Sequence, residues 1–208
     1  MTATLLSPAT TARRGALPVV FVLAASWSLG FATFHAQGWL PEALAPFANS
    51  ASGWTLLTAC LVAIARPTAK AGAALGAASF VLLVLGYAAA ADVADLYYSP
   101  VRFGLIGLAV GPFVGAAASS LRRGGRGAGA ATALLSGIGL GEAFYGVTEV
   151  AGTTGLTYWL AAGVGALALL GGMFATRLRS RDARIVAGVG AVIVAAAFVV
   201  AYRSLGGA

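Results

Sequence analysis

Apolar runs of about 20 residues follow one another almost without pause, and the short segments between them hold most of the basic residues. A helix needs about 20 apolar residues to cross the ~30 Å hydrocarbon layer of a bilayer. The pattern recurs seven times, at about 16–36, 52–66, 71–91, 103–121, 128–150, 156–176 and 185–203. Only 9% of the 208 residues are charged and 60% are hydrophobic, where a soluble domain carries about 25% charged residues. Abundant Gly and Ala with little strand-like alternation points to helices rather than a barrel. The expected fold is all-α: a polytopic helical membrane bundle of seven transmembrane helices, forming one domain over 16–203 with short tails at 1–15 and 204–208. The first run follows basic residues, as a secretory signal does. Its length, Trp27 and the lack of a small-x-small cleavage site favour a retained span.

The charges test the layout independently. With the amino terminus cytoplasmic, eleven basic residues fall inside: Arg13, Arg14, Arg66, Lys70, Arg122, Arg123, Arg126, Arg177, Arg179, Arg181 and Arg184. Only Arg102 and Arg203 fall outside. That asymmetry is the positive-inside pattern of a plasma-membrane protein, with the carboxyl terminus extracytoplasmic. It also accounts for the net charge of +7 without nucleic acid, because the basic residues are dispersed between spans rather than gathered on one soluble face.

Three segments resemble one another: 30–66, 86–123 and 144–179. Each has an aromatic near the outer end of an outgoing helix, Phe31, Tyr87 and Tyr145, spaced 56 and 58 residues apart. A polar residue follows (His35, Asp92, Glu149), then an aromatic opening the returning helix (Trp54, Tyr98, Trp159). A two-helix unit returns the chain to its starting side, so the expected architecture is three parallel helical-hairpin repeats plus a final helix. Gly107, Gly111 and Gly115, with Gly72 and Gly76 and with Gly137 and Gly141, form small-residue ridges that let helix backbones approach closely.

The chemistry concentrates in "GEAFYGVTEVAG". Glu142 and Glu149 are seven residues apart, which on an α-helix puts them on one face with Tyr145 between. A charge within the bilayer costs about 2.5–3.5 kcal/mol even on mild scales, so Glu142 should face the bundle interior or a wet cavity. The expectation is an outward-opening polar cavity lined by Glu142, Tyr145 and Glu149 and rimmed by His35 and Asp92. It would serve proton carriage or cation recognition. The plainer reading is a Glu142 hydrogen-bonded to a neighbouring helix. Trp54, Tyr98 and Trp159 join Tyr97 and Tyr158 at the outer boundary, either as an aromatic belt or as a box for a cationic ligand. Trp27 and Cys60 read as packed core residues.

No P-loop, HExxH, CxxC or paired histidines occur, so no cofactor, metal site or catalytic group is expected. Lys70, the only lysine, lies at the end of a span, which excludes a retinal Schiff base in the seventh helix.

With "FANSASGW", "LYYSPVRFG" and "GEAFYGV" linking Gly/Ala-rich spans, the chain resembles the uncharacterised small multi-pass membrane proteins common in actinobacteria. It is more weakly similar to the substrate-binding subunits of energy-coupling-factor vitamin transporters, which bind ligand from outside and usually have six spans. Two functions are expected from the residues. One is binding, with a part in transport, of a small polar or cationic solute. The other is a non-catalytic scaffold packed through its glycine ridges against a partner membrane subunit or further copies of itself.

Overall fold

A computed structural model describes residues 8–206, with side chains over 16–204; the outermost parts of the two expected tails, 1–7 and 207–208, lie outside the described residues. Every regular element among them is helical. Seven helices follow one another: α1 (Pro8–Trp39), α2 (Ala51–Ala65), α3 (Ala69–Val93), α4 (Val101–Ser120), α5 (Gly125–Thr154), α6 (Thr157–Thr176) and α7 (Arg181–Gly206). Six are long and apolar enough to cross a membrane, α1 contributing the stretch Ala16–Trp39. Helix α1 begins at Pro8, ahead of the apolar run, so part of the expected amino-terminal tail is helical.

The exception is α2. Its 15 residues span about 22 Å at 1.5 Å per residue, short of the ~30 Å hydrocarbon layer. Between Trp39 and α2 lies a single 3₁₀ turn, Ala45–Asn49.

Two groups of helices form the body: α3 packs on α1 and α4, and α5 packs on α6 and α7; the groups meet through α4 and α5, and α2 packs on the first group and touches α5. Lipid offers apolar side chains no drive to associate, so close backbone approach has to hold such groups together. The glycines supply it. A Cβ on Gly111 would lie 2.7 Å from the Gly76 carbonyl oxygen, and one on Gly72 would meet the Gly115 carbonyl oxygen at 2.7 Å. In the other group, Gly141 approaches the Ala195 carbonyl in the same way, at 2.8 Å. Across α1 and α3, Gly30 and Gly86 approach the backbones of Leu83 and Trp27, and the Ser26 and Ser79 hydroxyls hydrogen-bond at 2.7 Å. The ridges expected from sequence thus face neighbours within the chain. Trp27, expected in the core, is 43% exposed and stacks along its own helix on Phe31.

Two ion pairs fasten α5 to α7, Arg126–Asp182 at one end and Glu149–Arg203 at the other. Both are solvent-exposed, so each contributes no more than about 1 kcal/mol.

Candidate functional site

Helix α5 positions Glu142. Seventeen residues separate it from Gly125 at the arginine-rich end, which places it about 25 Å along the helix axis. Its side chain is 1% exposed. The carboxylate accepts hydrogen bonds from the backbone N–H groups of Ala51, at 2.6 Å, and Ser52, at 2.8 Å. These are the first two residues of α2. The next N–H, of Gly53, donates to Ser50 Oγ at 2.9 Å. The one after, of Trp54, donates to the Ser50 carbonyl at 3.1 Å and opens the regular helical ladder.

The first turn of a helix carries N–H groups with no partner inside the helix, and away from water each one must find an acceptor. Here three are satisfied by Glu142 and Ser50. A carboxylate at this position also meets the favourable end of the helix dipole. Glu142 therefore caps a helix whose start packs against α5: residues 40–50 link the end of α1 to that start, and α2 carries the chain on to Arg66. Trp54 supports the link, donating from its indole N–H to the Ala48 carbonyl at 3.0 Å. Gly53 permits it, because a Cβ there would strike Phe47 O and Ser50 Oγ.

This corrects the expected polar cavity. Of the three residues placed on one face of α5, Glu142 turns to α2, while Tyr145 packs edge-on to Tyr202 and Glu149 pairs with Arg203, both on α7. For Glu149 the cause is a π-helical turn over Gly146–Val150. Such a turn inserts one extra residue into the α-helix, and each residue rotates the chain by about 100°. The seven-residue spacing no longer returns Glu149 to the face of Glu142. Low helix formers, Gly146, Val147, Thr148 and Val150, are the local signal. The turn fits around Trp159, whose ring occupies the space of a Cβ on Gly146.

The remaining expected residues are dispersed. His35 stacks on Trp39, with ring centroids 5.3 Å apart, and lies against Phe31 and Phe34. Asp92 is exposed near the end of α3. Trp54 is a core residue, packed on Phe80 and Tyr87. Tyr98 joins that cluster through Tyr87, at 4.8 Å. Burial, with Tyr87 alongside, pushes the Tyr98 hydroxyl up to about 12. Trp159 is buried and donates to Thr154 Oγ1 at 2.9 Å. Trp54 and Tyr98 thus belong to one ring cluster around Tyr87, while Trp159 packs separately on Tyr158.

The hollow beside Glu142 lies elsewhere. A groove of about 680 Å³ runs between α2 and α6 over a floor of α5, within the ~300–1,000 Å³ of small-molecule sites. Its walls are apolar, with Leu44, Leu56, Ile138 and Leu169 prominent. It extends from Ser52 to Ala63 on α2, about 16 Å at 1.5 Å per residue. Leu56 is 55% exposed, so the groove opens sideways. At one end Tyr158 reaches the Ser50 hydroxyl and, at 3.1 Å, that of Ser52; this hydroxyl cluster adjoins the Glu142 cap. Cys60, expected as packed core, is exposed and lines the groove. Among the described residues, no three of His, Cys, Asp and Glu gather closely enough to hold a metal ion.

A family model described as a family of unknown function, DUF6518, matches residues 9–207. The chain belongs to that family. The match takes in the linking segment, α2 and the whole groove, so these features lie inside the family's domain. No curated protein and no solved structure matches the chain, and the similarity to vitamin-transporter subunits gains no support from these comparisons.

Proposed function

We propose that this is a non-catalytic plasma-membrane protein that binds a small amphipathic solute in the groove between α2 and α6. One observation carries the reading: a sideways-opening apolar groove ends in a hydroxyl cluster beside a buried, capped helix start. Non-helical backbone at membrane depth occurs where it is buried in protein or lines a cavity, and broken helices of this kind are where membrane carriers place ligands. The apolar walls change the solute from the small polar or cationic molecule expected from sequence to one with an apolar tail lying along α2. The scaffold alternative is weakened, not removed, because the ridge glycines Gly72 and Gly111 are turned to neighbouring helices, while Gly165, Gly171 and Gly172 of α6 face open space.

The same proposal takes the amino terminus as cytoplasmic, on the charge asymmetry, and counts α2 as a seventh, incomplete pass. The spacing of Phe31, Tyr87 and Tyr145 supports three hairpin repeats, the first modified by the link before α2.

The test is photocrosslinking in nanodiscs with a neutral single-chain amphiphile bearing a diazirine on its tail. Adducts should concentrate on Leu56, Cys60 and Leu169 and fall away in Ala59→Trp, which fills the groove. Adducts spread evenly over groove and outward residues such as Val192 and Val200 of α7 would refute it.

A further inference from the structure

A second hollow, of about 330 Å³, lies where α2 and α4 end, lined by Arg66, Arg122, Arg123, Pro67 and Ser119. It shares Ala63 and Ala118 with the apolar groove. The two hollows therefore border one another along α2, the basic one at its Arg66 end and the apolar one reaching Ser52 and Tyr158. Arg66 closes α2 in the left-handed helical region, at φ 50°, a conformation uncommon for a residue with a side chain. Among the described residues no carboxylate pairs with these arginines, the nearby ion pair being made by Arg126 with Asp182.

We infer that the ligand of the groove is an anionic lipid, its phosphate headgroup held by Arg66, Arg122 and Arg123 and one acyl chain laid along α2 past Cys60. This rests on the groove being a binding site, as proposed above, and names what it takes. An acyl chain leaving bulk lipid for an apolar groove gains little, because both surroundings are apolar. Discrimination among amphiphiles therefore falls to the headgroup. Basic pockets between membrane helices on the cytoplasmic side suit anionic headgroups, and the positive-inside reading puts these arginines on that side. A free phosphate would satisfy the arginines and leave the trough empty. A zwitterionic lipid would fill the trough but place an ammonium group among like charges.

The experiment uses the purified full-length chain and native mass spectrometry of retained lipid, comparing phosphatidylglycerol with phosphatidylcholine of the same chains. Phosphatidylglycerol should be retained preferentially. The preference should fall by about fivefold in Arg66→Gln and on the order of 100-fold when Arg122→Gln and Arg123→Gln are added, at one surface charge each. Ala59→Trp, which leaves the arginines in place, should also lower retention. Inorganic phosphate should fail to displace the lipid. Equal retention of the two lipids, or an undiminished preference in Arg66→Gln, would overturn the inference. So would displacement by phosphate, which would assign the arginines to a free anion. Undiminished retention in Ala59→Trp would equally sink it, placing the chain outside the groove. If the arginines fail this test while the neutral diazirine probe still marks Leu56 and Cys60, the groove reading stands and only the headgroup assignment is lost; if that labelling is absent too, both fall.

Discussion

Removing the Glu142 carboxylate tests how the start of the short helix α2 is satisfied inside the bundle. In Glu142→Ala the N–H groups of Ala51 and Ser52 lose acceptors at 2.6 and 2.8 Å, at a site where the replaced side chain is only 1% exposed. An orphaned buried donor costs about 1–3 kcal/mol, so two together cost roughly 2–6 kcal/mol. The space left by the side chain adds on the order of 1 kcal/mol. At about 2–4 °C per kcal/mol for a chain of this length, the melting temperature should drop by on the order of 10–20 °C. Glu142→Gln retains one acceptor but presents an amide N–H to the second donor, so it should fall between wild type and Glu142→Ala. The assay is helical circular dichroism on heating in micelles, joined to hydrogen exchange by mass spectrometry. Exchange over 51–53 should accelerate in Glu142→Ala well before exchange in α3 does. A variant that melts with wild type and keeps those amides protected would show that the carboxylate does not cap α2.

Three further outcomes are expected. Gly111→Val drives side-chain atoms into the backbone of Gly76 and Ala77 and should cost about 1–3 kcal/mol or more; an unchanged melting temperature would discount the tight α3–α4 contact. Among the described residues the buried hydroxyls of Thr58 and Ser136 have no hydrogen-bond partner, so Thr58→Val and Ser136→Ala should each hold or raise stability, by up to about 1–2 kcal/mol; a clear loss in micelle denaturation would reveal a hidden partner. The Tyr98 hydroxyl is raised from 10.0 to about 12, so the folded state holds its proton more tightly than the unfolded chain. Its contribution is intact below about pH 10 and is lost as pH climbs toward about 12. Tyr98→Phe should flatten that alkaline decline, and identical profiles for the two proteins would rule the residue out as its source.

Hydropathy, arginine placement and glycine spacing are local properties, and they suffice for much of this molecule. The six long apolar helices, the all-helical class and the small-residue ridge of Gly72 and Gly76 all follow from residues close together in the chain, whereas the partner of that ridge, α4, does not. The second run, 52–66, reads as a full span on its apolar character, although its helix is shorter than the six long ones. That Glu142 hydrogen-bonds a neighbouring helix is one reading of the sequence; which groups it meets is not visible, because Ala51 and Ser52 lie about ninety residues away and offer backbone groups that no side-chain pattern announces. A buried polar atom is defined by whichever acceptor or donor the folded chain brings to it, and that pairing exists only once the helices are packed. The π-helical turn behaves likewise: helical spacing put Glu142 and Glu149 on one face, and packing around Trp159 rotated them apart. Sequence by itself made this a membrane bundle with an acid inside it; tertiary structure alone decided that the acid closes a helix end and that the open space beside it is apolar.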